Sequence, residues 1–185
     1  MSITFSGKLK NCGSRLYYNY PTSSLIYEIS SLQKSRPVIQ VTGEGFWPED
    51  QRLDLQAFLA EGQRLNLSHL VTYEITPGVS LFYCLLKNHI EGFVWFPESG
   101  HLYSKKNLQP HPLASLINYP PAVGCTDDGG FFFVLSPEWK EQVISNEQVG
   151  KVVPHYLSQE LWDAIDEENK PILAKIWFKD IAKDK

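Results

Sequence analysis

Cysteine is scarce in this chain: three in 185 residues, and none of them in a C-x-x-C pair. Cys12, Cys84 and Cys125 therefore lack the spacing of a zinc ribbon or a dithiol redox site. Their odd number, together with a start (MSITFSGKLK) that has no apolar core segment, leads to an expectation of reduced thiols and a cytoplasmic setting. Long apolar runs are missing too. None approaches the ~20 residues that span a bilayer, so no membrane partner is expected. There is no glycine-rich phosphate loop, no G-x-S-x-G elbow and no H-E-x-x-H. GEGF (43–46) offers a G-x-G with no further glycine, which suits a turn rather than a nucleotide site. Positive charge is also short. Lys and Arg total 17 against 21 Asp and Glu, a net charge of −4. Such a chain lacks the long-range attraction for phosphate that dominates nucleic-acid binding. The basic clusters are SKKN (104–107) and KDIAKDK (179–185), and the second alternates with acids like a solvated helix face.

What the chain does have is apolar and aromatic bulk, with 43% hydrophobic and 13% aromatic residues. That is globular composition, enough for a core without staples, and it favours one domain over residues 1–185. The prolines and glycines are spread as punctuation. ITFSGKL and SRLYYNY read as a hairpin around NCGS, with Ile3, Phe5 and Leu9 on one face. TSSLIYEISSLQK carries Leu25, Ile29 and Leu32 at helical spacing behind a Thr22 or Ser23 cap. It also alternates like a strand, and we read it as a helix. RPVIQVTG (36–43) reads as a strand. WPEDQRLDLQAFLAEGQRL opens like a helix, with Pro48 in its first turn, Glu49 and Asp50 at its positive end and Gly62 closing it.

The clearest pattern follows. HLVTYEIT, VSLFYCLLK, EGFVWFP and HLYS are strand-like runs separated by Pro77-Gly78, Asn88-His89 and Glu98-Ser99-Gly100, the pattern of an antiparallel meander. HPLASLINYPP reads as a short helical turn or loop. AVGCT and FFFVLS flank DDGG, a turn composition that tolerates positive φ, so this stretch reads as a hairpin with Asp127 and Asp128 at its tip. Ser136-Pro137-Glu138 starts a helix bearing Trp139 and Val143, and Ser158 caps a second bearing Leu161 and Ile165. Pro171 starts PILAKIWFKDIAK, where Leu173, Trp177 and Ile181 form a helical stripe expected to dock into the core. The expected fold is therefore α+β: an antiparallel meander with helices on one face and a helical C-terminal part.

Each candidate for chemistry meets a plainer reading. A thiolate at Cys125 needs a base such as His101, His111 or His155, but Asp127 and Asp128 beside it supply the wrong field, so a structural thiol is expected. Cys84 inside LFYCLLK reads as core. His101, His111, Cys125, Asp127 and Asp128 include metal-ligand types but no coordination spacing, and no metal or cofactor is expected. Pro48-Glu49-Asp50 and Glu138-Trp139-Lys140 resemble nuclease acid clusters only superficially, since both sit at helix starts. Glu44, Glu74, Glu91 and Glu98 lie near aromatic strands, but acid pairs for glycoside chemistry need a fixed separation that sequence does not give.

The aromatic surplus carries the functional expectation. In GFVWF, Phe93 and Trp95 alternate with Val94 and Phe96, so both faces of that strand are apolar and both call for a cover. The expected binding residues are Phe93, Trp95, Trp139, Trp162 and Trp177. The expected function is a non-catalytic cytoplasmic interaction, assembly or regulatory protein with a protein partner. The alternatives are a small hydrolase with an acid or Cys/His site on the sheet, and an aromatic-lined half-barrel for a small ligand.

Overall fold

A computed structural model describes residues 8–20, 23–46, 67–87, 89–104, 121–145, 159–165 and 171–180, with Gln56, Ala60 and Asn107. The expected hairpin residues Ile3 and Phe5, the HPLASLINYPP segment except Pro121, His111, His155 and Ile181 lie outside these. So does the expected helix after Trp47, apart from Gln56 and Ala60, which are helical.

The described fold is mainly antiparallel β, which corrects the α+β expectation. Eleven strands and two short helices run in the order β1 (Lys8–Cys12), β2 (Arg15–Asn19), β3 (Leu25–Ser31), β4 (Lys34–Gln40), β5 (His69–Ile75), β6 (Ser80–Leu86), β7 (His89–Phe96), β8 (His101–Ser104), β9 (Gly124–Cys125), β10 (Gly130–Leu135), α1 (Pro137–Ser145), α2 (Gln159–Ala164) and β11 (Ile172–Trp177). They form sheets ordered β1-β2-β3-β4, β5-β6-β7-β8 and β11-β10-β9. The chain divides into two compact units. One holds residues 1–73 and 82–91, the other 74–81 and 92–185, so the boundary crosses β5, β6 and β7.

In the first unit, β1 and β2 close on Gly13-Ser14, where Gly13 takes φ 59°. The segment expected as a helix is strand β3. It pairs with β2 on one side, Tyr18 facing Tyr27, and with β4 on the other. Pairing on both edges satisfies its main chain, and its isoleucines and Tyr27 suit a pleated surface, so tertiary pairing overrides the helical spacing. Ser23, expected as a possible helix cap, accepts the Leu25 N–H on its Oγ at 2.9 Å instead. Leu32, expected on the buried stripe, lies fully exposed in the β3–β4 turn. Asn19 secures the β2–β3 connection by donating to the Ser23 and Leu25 carbonyls at 2.8 and 2.9 Å.

In the second unit, Thr76 closes the β5–β6 turn, where its N–H donates to the Val79 carbonyl at 2.9 Å. β9 and β10 form the hairpin expected around DDGG, and Gly129 supplies the positive φ at 83°. Ser136 caps α1 by accepting the Trp139 N–H at 3.3 Å. Trp139 is fully buried and meets the Trp162 ring edge-to-face at 6.1 Å. Lys140 donates to the Trp162 carbonyl at 2.7 Å and lies 4.9 Å from its ring, which joins α1 to α2.

β11 corrects the expectation of a C-terminal helix. It pairs antiparallel with β10, Leu135 facing Ile172 and Gly130 facing Trp177. The buried set is Ala174, Ile176 and Phe178, which alternates with exposed Leu173 and Trp177. Phe131, Phe133 and Leu135 of β10 are fully buried with it, and the Phe178 ring meets Phe131 and Phe133 at 5.7 and 6.2 Å. Leu173 and Trp177 of the stripe expected to be core thus point to solvent, and Ala174 and Ile176 between them join the core.

Candidate interaction face

The outer face of the β9–β10–β11 sheet gathers four of the exposed apolar side chains of the second unit, Leu102 on β8 being a further one. Val134 stands opposite Leu173 in the register, and Phe132 opposite Lys175. Leu173 is 62% exposed, Trp177 52% and Val134 36%, while Val123, just before β9, is 54% exposed. Phe132 is half-buried among them. This arrangement follows from period two. The alternate residues of β10 and β11 fill the core beneath, so these side chains have nowhere to go but outward.

One charge crosses this face. Lys175 reaches Asp128 at 2.9 Å, and its ammonium lies 4.8 Å from the Trp177 ring and 5.9 Å from that of Phe132. Asp128 also accepts from the Thr126 hydroxyl and from the Gly130 N–H. The Thr126 bond first, then Lys175, holds its carboxyl down at about 2. Asp128 is thus an anchor at the hairpin tip. Gly130 makes room for the lysine: a Cβ there would lie 2.3 Å from Lys175 Cε and 3.1 Å from its Cγ. Gly130→Ala is therefore expected to push Lys175 off Asp128 and raise the carboxyl toward its ordinary range. Because the folded value is the lowered one, the stabilisation it carries is present above the ordinary carboxylate range and fades as pH falls toward about 2. An NMR titration of the Asp128 carboxyl carbon in both proteins checks this.

A second cluster lies where the chain leaves β11. Asp180 is buried. Its carboxylate accepts from Ser99 Oγ at 2.5 Å, from Tyr103 Oη at 2.7 Å and from His101 Nδ1 at 2.9 and 3.1 Å. A carboxylate only accepts, so Nδ1 carries the proton, and among the described residues Nε2 of this half-exposed imidazole has no partner. Sequence reasoning missed Asp180 by reading it on a solvated helix face. The signal was parity: it continues the inward series Ala174, Ile176, Phe178.

The other expected site residues are dispersed. Phe93 and Trp95 are half-buried on β7, alternating with buried Val94 and Phe96. Trp139 is core, and Trp162 packs on it. Of the five, Trp177 is the one on the exposed face. Cys125 donates to the Ile75 carbonyl at 3.5 Å, and burial pushes the Cys84 thiol up to about 12. Neither environment makes a nucleophile. Glu44 pairs with Lys87 at 3.5 Å, Glu91 with His89 at 3.7 Å, and Glu74 is fully buried. Glu138 is held low chiefly by the Ser136 hydroxyl, and Lys140 is committed to Trp162, so Glu138-Trp139-Lys140 is a helix start. Among the described residues, no group of three or more His, Cys, Asp or Glu is placed to hold a metal ion, and no helix is long and apolar enough to cross a membrane.

No family model matches the chain, and the curated proteins contain no match to its sequence. Among solved structures, the chain is similar to a predicted exported protein from Bacteroides fragilis, with a TM-score of 0.57 and 13% sequence identity over 93% of this chain. At that identity the likeness is one of fold. The chain spans 49% of that protein's length. That protein is named as exported, whereas the expectation from the thiol count of this chain was a cytoplasmic setting.

Proposed function

We propose that this protein acts by binding another protein through the outer face of β9–β10–β11. The observation that carries this reading is the grouping of Val123, Val134, Leu173 and Trp177, all exposed, around half-buried Phe132 on one sheet face. Apolar side chains scattered singly over a surface need no explanation, but a contiguous group with an aromatic anchor marks a contact surface. Trp177 supplies the anchor, and Lys175 gives the face a polar centre whose charge Asp128 compensates. The fold neighbour supports an exported setting, where burial of Cys12 and Cys84 shields two of the three thiols from oxidation.

The test is a double variant, Leu173→Ser with Trp177→Ser. Both side chains are exposed, so its melting temperature should stay near that of the parent, within about 0.5 kcal/mol of stability. Immobilised parent protein should retain proteins from the source lysate that the double variant does not. Identical retained sets from the two would refute the reading.

One observation favours a second reading, an enzyme. Asp180 orients His101 as an acid–base group would be oriented, with Nε2 free. On this reading His101→Gln abolishes turnover of an activated ester such as 4-nitrophenyl acetate and leaves the fold intact. Equal rates for the two proteins would end it.

A further inference from the structure

We infer that the edge of β11 pairs antiparallel with β11 of a second copy of this chain, about a twofold axis at Lys175. This goes beyond the binding role proposed for the outer face, because it concerns the edge of the same sheet.

Gly130 C=O accepts the Thr126 N–H at 2.9 Å, and Phe132 C=O accepts the Val123 N–H at 2.8 Å. The even-numbered residues of β10 therefore turn their main-chain groups toward β9. In an antiparallel ladder the alternate residues turn theirs the other way. Phe131, Phe133 and Leu135 thus bond to β11, opposite Ile176, Ala174 and Ile172. It follows that Leu173, Lys175 and Trp177 direct their N–H and C=O groups away from β10. β11 is the end strand of its sheet, so no described strand meets them there.

The other sheet edges are protected where β11 is not. β4 carries Lys34, Arg36 and Pro37 and pairs through register shifts. β1 carries Lys8 and Lys10. β5 is buried along most of its length. β8 has four residues and β9 two. Charge, proline, bulges, cover and brevity are the devices that keep edges from pairing. β11 has six residues, no proline and one charge, and that charge is already held by Asp128.

The β11 edge is also self-complementary. A twofold at Lys175 sets Leu173 against Trp177 of the second copy, and Trp177 against its Leu173. The ladder gains about six main-chain hydrogen bonds from three facing pairs. It joins two three-stranded sheets into one with a continuous outer apolar face. The two lysines meet at the axis, and facing like charges are unfavourable. Here each ammonium lies 2.9 Å from the Asp128 carboxylate of its own chain. That internal acid also removes the advantage a foreign acidic strand would have.

The test is sedimentation equilibrium of the full chain from about 1 to 500 μM, a range that brackets micromolar association. The parent protein should reach twice the chain mass. Leu173→Pro removes one outward donor and leaves the bonds to β10, so it should remain monomeric with its near-native circular dichroism retained. Trp177→Ser, which leaves the backbone alone, should weaken association at least tenfold and decides the matter if the proline variant does not fold. Asp128→Asn should weaken it too, with a loss that added salt reverses. A parent that stays monomeric throughout, or a dimer indifferent to both Leu173→Pro and Trp177→Ser, overturns the inference. If the parent is monomeric while the lysate proteins still distinguish it from the double serine variant, this inference falls and the binding role stands.

Discussion

Trp139→Ala is expected to destabilise the protein by about 3–5 kcal/mol, the usual cost of truncating a large buried aromatic. Trp139 is 1% exposed, lies in the first turn of the helix capped by Ser136, and meets Trp162 edge-to-face. Its loss opens a cavity beneath α1 and strips the ring that orients Trp162, over which Lys140 lies. Domains are stable by about 5–15 kcal/mol, so the variant sits near the limit of folding. Trp139→Phe separates packing from hydrogen bonding. Among the described residues the Trp139 indole N–H has no hydrogen-bond partner, so Phe gives up ring volume and no bond. It should recover more than half of the loss. Urea denaturation of the three proteins checks both points. A midpoint for Trp139→Ala that matches the parent would show that α1 does not pack as described. Trp177→Ala, in the helical stripe expected to be core, should by contrast leave the midpoint nearly unchanged, because its ring is half in solvent.

The difference between those two tryptophans shows where the sequence was legible. Trp139 follows a serine, a proline and a glutamate, a strong local helix start, and the structure has that helix. The turns were legible for the same reason. Pro77-Gly78, Glu98-Ser99-Gly100 and DDGG announce reversals through residues that tolerate or impose unusual dihedrals, and Gly100 and Gly129 do take positive φ. β3 and β11 failed because spacing four is ambiguous. Residues i and i+4 share a face in a helix and also in a strand, since four is a multiple of two. Leu173 and Trp177 therefore fitted a helix while standing on the outward face of a strand. The inward set includes Ala174, too small to advertise burial, and ends in Asp180, whose charge masked the pattern. Nor did the sequence link Ser99, His101 and Tyr103 to Asp180, about eighty residues away. Strand pairing and the exit from β11 bring them together, and neither leaves a local motif.

That cluster sets the second large effect. Asp180→Ala removes one acceptor that serves Ser99, Tyr103 and His101 at once. A buried donor left without an acceptor costs about 1–3 kcal/mol. Ser99 and Tyr103 are part-buried and lose their short bonds to the carboxylate, whereas the imidazole is half-exposed and water takes over its Nδ1–H. The expected destabilisation is therefore about 2–4 kcal/mol, with the backbone after β11 released from the β7–β8 turn. Asp180→Asn keeps one acceptor oxygen but turns an NH2 toward donors, so it should fall between the parent and alanine. His101→Ala should cost less than Asp180→Ala, because it removes a partner that solvent replaces. If the four groups act as one network, Asp180→Ala and Tyr103→Phe combined should cost less than the sum of their separate effects, by on the order of 1 kcal/mol. Thermal melts of the two single variants and the double variant measure this directly. Additive effects, or an Asp180→Ala variant as stable as the parent, would show that the buried carboxylate does not hold this end of the chain.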